Sequence, residues 1–198
     1  LDELGENVKI IDLNGKYVAP GFVDAHLHIE STMMPPLEFC FEAIKHGTTT
    51  ILVDPHEIAN VAGMNGMELW LDQAKLVPLD MYVAAPSCVP ATHMEHSGAT
   101  ISTAEIQTLM DSDQIYSLGE MMNYPGIIHN IGEARKKVEI AINANKIVDG
   151  HAPGVSGEDL DMYITNGKKD GIVRIMNDHE SATAEEVKEK TEKGMYIA

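Results

Sequence analysis

The sequence predicts an α/β fold, on three observations: six short apolar runs, a polar cluster closing each of them, and an amphipathic stretch separating each run from the next. Strand followed by helix, repeated in this way, implies parallel strands joined by right-handed crossovers. An open doubly wound sheet gathers its useful strand ends at one switch point, whereas a barrel brings the ends of all its strands to one mouth. Chemically capable residues close almost every run here. The expected architecture is therefore an incomplete, TIM-like (β/α)8 barrel of about six βα units, preceded by a short N-terminal β element.

The opening stretch differs in kind from the rest. Residues 8–11 and 17–18 read as two short strands around Asn14-Gly15, a strong hairpin signal. Residues 1–18 are accordingly expected to form part of a small flanking β domain and residues 19–198 the barrel. The first barrel run, residues 22–27, closes in His28 and leads to a helix over 36–46 that stops at Gly47. The second, 49–53, closes in Asp54-Pro55-His56-Glu57 before a helix over 66–75. The third, 81–85, closes in Ser87-Cys88, and Ser102 or Thr103 ahead of Glu105 starts a helix over 103–111. The fourth, 115–118, ends in Gly119-Glu120 before a helix over 133–145. The fifth, 147–148, ends in Asp149-Gly150-His151 before a helix over 157–166. The sixth, 172–176, ends in Asp178-His179 before a helix over 184–193, and a further strand begins at 195–198. An intact barrel takes about 250 residues, so a chain of 198 is expected to stop short of its seventh and eighth strands.

Composition excludes several classes of function. With 31 acidic against 14 basic residues the formal charge is -17, which repels a phosphate backbone and makes nucleic acid an unsuitable partner. No apolar stretch reaches the roughly 20 residues that cross a bilayer. Leu1-Asp2-Glu3-Leu4 lacks the basic and then apolar design of a secretion signal, so a cytoplasmic location is expected. Cys40 and Cys88 form no C-x-x-C pair, which argues against both a disulfide framework and a thiolate zinc site. G-x-S-x-G, P-loop and G-x-G-x-x-G patterns are all missing.

The chemistry concentrates where the runs end. His26 and His28 are spaced i, i+2 on a strand, so their side chains share a face and can grip one metal, with Asp24 nearby. Imidazole and carboxylate together suit zinc, manganese and iron(II). His151 and His179 follow Asp149 and Asp178 by two and one positions, and those acids are expected to orient the rings. Glu120 has two oxygens and can bridge two ions, an arrangement that lowers the pKa of a shared water. His56 and Glu57 read as ligands, substrate contacts or a proton relay, or else as a capped helix start after Pro55. His93, His96 and His129 read as surface or loop residues. The twelve methionines read as adaptable packing.

At these residues the chain resembles the amidohydrolase superfamily, and within it the adenine deaminases. The stretches that carry the likeness are Ala19-Pro20-Gly21-Phe22-Val23-Asp24-Ala25-His26-Leu27-His28, Asp54-Pro55-His56-Glu57-Ile58-Ala59-Asn60, Gly119-Glu120-Met121-Met122-Asn123-Tyr124-Pro125-Gly126, Asp149-Gly150-His151-Ala152-Pro153-Gly154 and Asn177-Asp178-His179-Glu180. The resemblance implies a metal-dependent hydrolase that converts adenine and water to hypoxanthine and ammonia in purine salvage. It implies that His26 and His28 hold the more buried of two divalent ions, that Glu120 bridges, and that His151 and His179 hold the second, with Mn(2+) or Fe(2+) in preference to Zn(2+). Glu120, His151 and Glu57 would be catalytic, Glu30, Ser31 and Ser87 would contact the ring, and His56 would be a ligand or relay. A small-molecule substrate and a homo-oligomer are expected as partners. The family's eighth strand supplies an aspartate that has no counterpart here, so this chain by itself is expected to be inactive or nearly so. The alternatives are another binuclear amidohydrolase acting on a cyclic amide or N-acyl substrate, and a barrel fragment with no chemistry.

Overall fold

The computed structural model describes residues 8–198. Five strands form one all-parallel sheet in chain order: β1 (Phe22–Leu27), β2 (Thr48–Val53), β3 (Asp80–Ala85), β4 (Ile115–Met121) and β5 (Ile147–Gly150). Two short strands, β6 (Asn177–Asp178) and β7 (Tyr196–Ile197), pair in parallel as a second sheet. They continue the first one in space, because the Met176 N–H donates to the Val148 carbonyl at 3.0 Å and the Gly150 N–H to Asn177 Oδ1 at 2.6 Å. Among the described residues seven helices connect the strands: α1 (Pro36–Lys45), α2 (His56–Ala74), α3 (Thr103–Met110), α4 (Tyr124–His129), α5 (Ala134–Asn143), α6 (Gly157–Ile164) and α7 (Ala184–Glu192). The result is an incomplete barrel wall of parallel strands flanked by helices, as the strand and helix alternation predicts.

Strands of a wall covered by helices are apolar along their length rather than alternating. Ile51, Val53, Val83, Ala85, Leu118 and Val148 are all buried and meet helix residues such as Met67, Trp70, Ile106, Val138 and Leu160 in one core. β1 is the exception. Among the described residues it has a partner on one side only, and Phe22 and Val23 are 69% and 66% exposed. Helix starts follow the local chemistry of the chain. Pro36 opens α1, where a missing N–H costs nothing. Ser102 and Glu105 cap α3 reciprocally, and the Thr183 hydroxyl accepts from the Glu186 N–H at α7. Among the described residues no helix is long and apolar enough to cross a membrane. Cys40 and Cys88 are buried free thiols.

Three expectations need correction. The helix expected over 66–75 begins at His56 and is broken at Gly63 (φ 57°, ψ −136°), so its first half follows a different periodicity from its second. The run at 172–176 is not a strand. Arg174 forks onto Asp170 at 2.8 and 2.6 Å, and the N–H groups of Arg174 and Ile175 both turn back to the Ile164 carbonyl, which leaves only Asn177 and Asp178 to pair. At the N-terminal end Asn14 (φ 50°) and Gly15 (φ 77°) make the expected turn, closed by Lys16 N–H to the Leu13 carbonyl. Residues 8–11 and 17–18 nevertheless lie in no strand among the described residues, and their side chains are exposed. Leu1 to Leu4 fall outside the described residues. Helix α4, capped by Asn123 on the Gly126 N–H, and a 3-10 turn at Ile29–Thr32 are additional elements too short to show a period in sequence.

Gly150 sits where β5 and β6 touch. A Cβ there would lie 2.0 Å from the Asn177 carbonyl oxygen, so the Asp149-Gly150-His151 stretch needs glycine for the close approach of the two strands. Gly150→Ala in the whole protein should lower unfolding stability by about 1–3 kcal/mol, the usual cost of overpacking. Urea denaturation checks this, and an unchanged midpoint would contradict the contact.

Candidate metal centre

The C-terminal ends of β1, β2, β4, β5 and β6 deliver His26, His28, His56, Glu120, His151 and His179 to one place. Glu120, only 3% exposed, is its centre. His28 Nε2 and His56 Nδ1 lie 3.2 and 3.1 Å from Oε1, and His151 Nδ1 and His179 Nε2 lie 2.6 and 3.0 Å from Oε2. His26 Nε2 is 3.2 Å from His28 Nε2, and its ring stacks on His179 with centroids 3.7 Å apart. Ligand atoms gather into three sets that share Glu120: with His26 and His28, with His151 and His179, and with Asp54 and His56.

The protonation pattern of this cluster suits a cation. His28 Nδ1 meets the Asp54 carbonyl at 2.7 Å, and a carbonyl only accepts, so Nδ1 carries a proton and, in the neutral ring, Nε2 turns a lone pair to the centre. That lone pair faces a carboxylate oxygen and a second imidazole nitrogen. Either the rings take up protons or a positive ion lies among them. Without an ion the rings carry the demand: burial opposes charge on His28 and His56, yet Glu120 and Asp54 outweigh it and raise them to about 8 and about 10. Burial, with His179 alongside, lowers His26 to about 4. The Glu120 carboxyl lies far below the usual carboxylate range, because His151, His179, His28 and His56 override the effect of its burial. Asp54 Oδ1, His56 Nδ1 and His179 Nδ1 are buried without a hydrogen-bond partner among the described residues. Orphaned buried polar atoms are costly, and a nitrogen-and-oxygen donor set around one shared carboxylate fits divalent ions.

A supporting frame sets these side chains in position. Asp54 Oδ2 accepts the Glu120 N–H at 2.8 Å, and a Cβ on residue 119 would sit 2.3 Å from that oxygen, which is why glycine precedes the glutamate. The Ser87 hydroxyl donates to the Glu120 carbonyl at 2.5 Å. The buried Tyr163 hydroxyl donates to the Met121 carbonyl at 2.9 Å and accepts the His151 N–H at 2.8 Å, joining β4 to the residue after β5. Asp149 and Asp178 act differently from the ring-orienting role expected of them. Asp149 accepts from Ser117 and Asn177, and burial pushes its carboxyl up to about 6. Asp178 accepts from the Ala152 N–H, Ser181 and Lys190. Asp149 thus joins side chains of β4 and β6, and Asp178 holds the backbone that follows His151.

Glu57 and Ser31 lie beside the cluster, joined by a 2.7 Å hydrogen bond from the serine hydroxyl to Glu57 Oε1. Glu30 Oε1 accepts the Ile58 N–H, whereas its Oε2 is buried without a partner, and burial pushes the carboxyl up. Ser87 is buried against β4 rather than open to the mouth. Asp24 is exposed, and so are His93, His96 and His129. A cleft of about 600 Å³ opens between β1 and β7, lined by Phe22, Asp24, His26, Thr48, His179 and Ala198. Asp54, Tyr163 and Lys190 are the participants that sequence reasoning did not assign. Asp54 closes an apolar run and could have been found by that signal, whereas Tyr163 and Lys190 look like ordinary helix residues.

The model of the Amidohydrolase family matches residues 17–198. An adenine deaminase of Clostridium acetobutylicum is 50% identical over 188 residues, 95% of this chain and 32% of that protein. An adenine deaminase of Methanocaldococcus jannaschii is 45% identical over 197 residues, 100% of this chain and 34% of that protein. One of Kosmotoga olearia is 43% identical over 198 residues, again 100% of this chain and 33% of that protein. The chain spans about a third of the length of the curated relatives it matches.

Glu120→Gln removes the shared negative charge and leaves every histidine in place. In the whole protein, metal analysis after dialysis should show content falling from two ions per chain to one or none. Full retention of both would contradict a bridging carboxylate.

Proposed function

The chain belongs to the amidohydrolase family, and on that premise we propose that the whole protein is a metal-dependent hydrolase that converts adenine and water to hypoxanthine and ammonia. The observation that carries the proposal is the meeting of four imidazoles on the single buried carboxylate of Glu120, in a chain 43% to 50% identical to relatives named adenine deaminase. In this reading His26 and His28 would hold one ion, His151 and His179 would hold the other, and Glu120 would serve both. The imidazole and carboxylate donors suit manganese, iron(II) and zinc alike, and manganese or iron(II) in preference to zinc is what the likeness to the adenine deaminases implies. When bound, such a pair supplies Lewis-acid charge and lowers the pKa of a shared water towards neutrality.

The chain's own residues then manage position and protons. Of the two water protons, one ends on the purine ring nitrogen beside the reacting carbon and the other on the departing amino group. Glu57 has one oxygen fixed by Ser31 and the other free to hold the ring proton, and His56 can hold a proton at Nδ1 beside Glu120. Glu30 offers its unpartnered Oε2 to a donor on the ring. Ser87 contributes by holding the Glu120 carbonyl. The assignment of residues 1–18 to a flanking β domain and 19–198 to the barrel, cytoplasmic residence, a homo-oligomer, and a small purine as substrate in place of nucleic acid belong to the same proposal. The charge of -17 supports the last of these.

Ammonia release from adenine by the whole protein, purified with manganese supplied, tests the reading. Ammonia with hypoxanthine as co-product is the expected result. Bound metal with turnover of a cyclic amide or N-acyl compound, and none of adenine, would replace the substrate. Absence of bound metal and of turnover would point to a non-catalytic barrel. Glu57→Gln should keep both ions and lower kcat by about 10²- to 10⁴-fold, the usual weight of a general acid or base. Steady-state kinetics with metal analysis on the same sample checks it.

A further inference from the structure

His151 and His179 come from different strand ends, and among the described residues no hydrogen bond joins their side chains. Besides their shared contact with Glu120 Oε2, the two are tied through the backbone segments that carry them, and Lys190, on α7, joins those segments. It is fully buried, and its Nζ donates to the Ala152 carbonyl at 2.8 Å, Asp178 Oδ2 at 2.9 Å and Ser181 Oγ at 3.1 Å, with Glu186 Oε2 at 3.3 Å on its own helix. Asp178 in turn accepts the Ala152 N–H through Oδ1 at 2.8 Å. Ala152, the residue after His151, is thereby held at both its N–H and its carbonyl. The holder on the other side is the residue just before His179.

A buried ion pair is a poor way to gain stability, since well-packed apolar groups of like volume often do as well. What the pair provides is a fixed relation between two backbone segments. We propose that Lys190 is a positioning residue of the metal centre: through Asp178 and Ala152 it sets the spacing of His151 and His179, and so the affinity for the second ion, without touching either ligand or the substrate. This rests on the metal-centre reading above.

The experiment uses the whole protein, with Mn(2+) alone as the probe in chelator competition. Lys190→Met leaves Asp178 buried and unpaired, so the double variant Lys190→Met/Asp178→Asn is made beside it and leaves no fully buried charge stranded, Glu186 being partly open to solvent and held by the Gly154 N–H. Expected in both is an unchanged affinity for the first ion and a roughly 10- to 100-fold loss of affinity for the second, the usual effect of removing a group behind a ligand. For adenine turnover, kcat should fall and recover at high Mn(2+), with KM little changed. A single variant that does not fold leaves the double variant to decide. Folded variants that bind both ions with wild-type affinity, or that lose both equally, overturn the role of Lys190. A wild-type protein that binds no second Mn(2+) overturns the metal-centre reading, and this proposal with it.

Discussion

A single buried carboxylate facing four imidazoles is the constraint on which the rest of this structure depends. Glu120 is almost fully enclosed and lies within 2.6 to 3.2 Å of a nitrogen from each of His28, His56, His151 and His179. The carboxylate can accept from rings that present an N–H, but His28 is held by its Nδ1–H on the Asp54 carbonyl and turns Nε2 to Oε1. The cluster needs added positive charge, as protons or as metal, and its nitrogen and oxygen donors suit metal. The fold serves this point. Parallel strands bring their C-terminal ends to one mouth, and Gly119 leaves the space through which Asp54 reaches the Glu120 N–H.

The two sides of the carboxylate are built by different means. On the Oε1 side, β1 and β2 are parallel neighbours whose register shifts between Asp24 and Leu27, and His28 is placed by its hydrogen bond to the Asp54 carbonyl and His56 by the start of α2. On the Oε2 side the ladder fails between β5 and β6, which belong to separate sheets. Side chains take over there. Asn177 spans from Asp149 to the Gly150 N–H, Tyr163 joins Met121 to His151, and Lys190 with Asp178 grips Ala152. Loss of backbone pairing and gain of buried polar contacts occur at the same place. Buried groups must find partners, and here those partners also space the second histidine pair.

The barrel layout and six of the converging residues were legible because both depend on local pattern. Apolar runs mark strands, and the residue that closes a run marks the mouth, so His26, His28, His56, Glu120, His151 and His179 could be named from position alone. The broken α2 was less legible, since Gly63 interrupts the helical period. The run at 172–176 reads as a strand by composition but is diverted by the Arg174–Asp170 fork, a contact that hydropathy does not encode. Asp149 and Asp178 looked like partners of the histidines next to them in sequence. Their true partners, Ser117, Asn177 and Lys190, are distant in sequence or on another element, and tertiary packing alone reveals them.

The central claim is that one carboxylate joins two ions, and electron paramagnetic resonance of the whole protein loaded with two equivalents of Mn(2+) addresses it directly. Two ions sharing Glu120 should give an exchange-coupled spectrum that is absent at low loading and grows in as the second ion binds. Two independent, uncoupled manganese signals at full loading would place the ions apart and contradict the account.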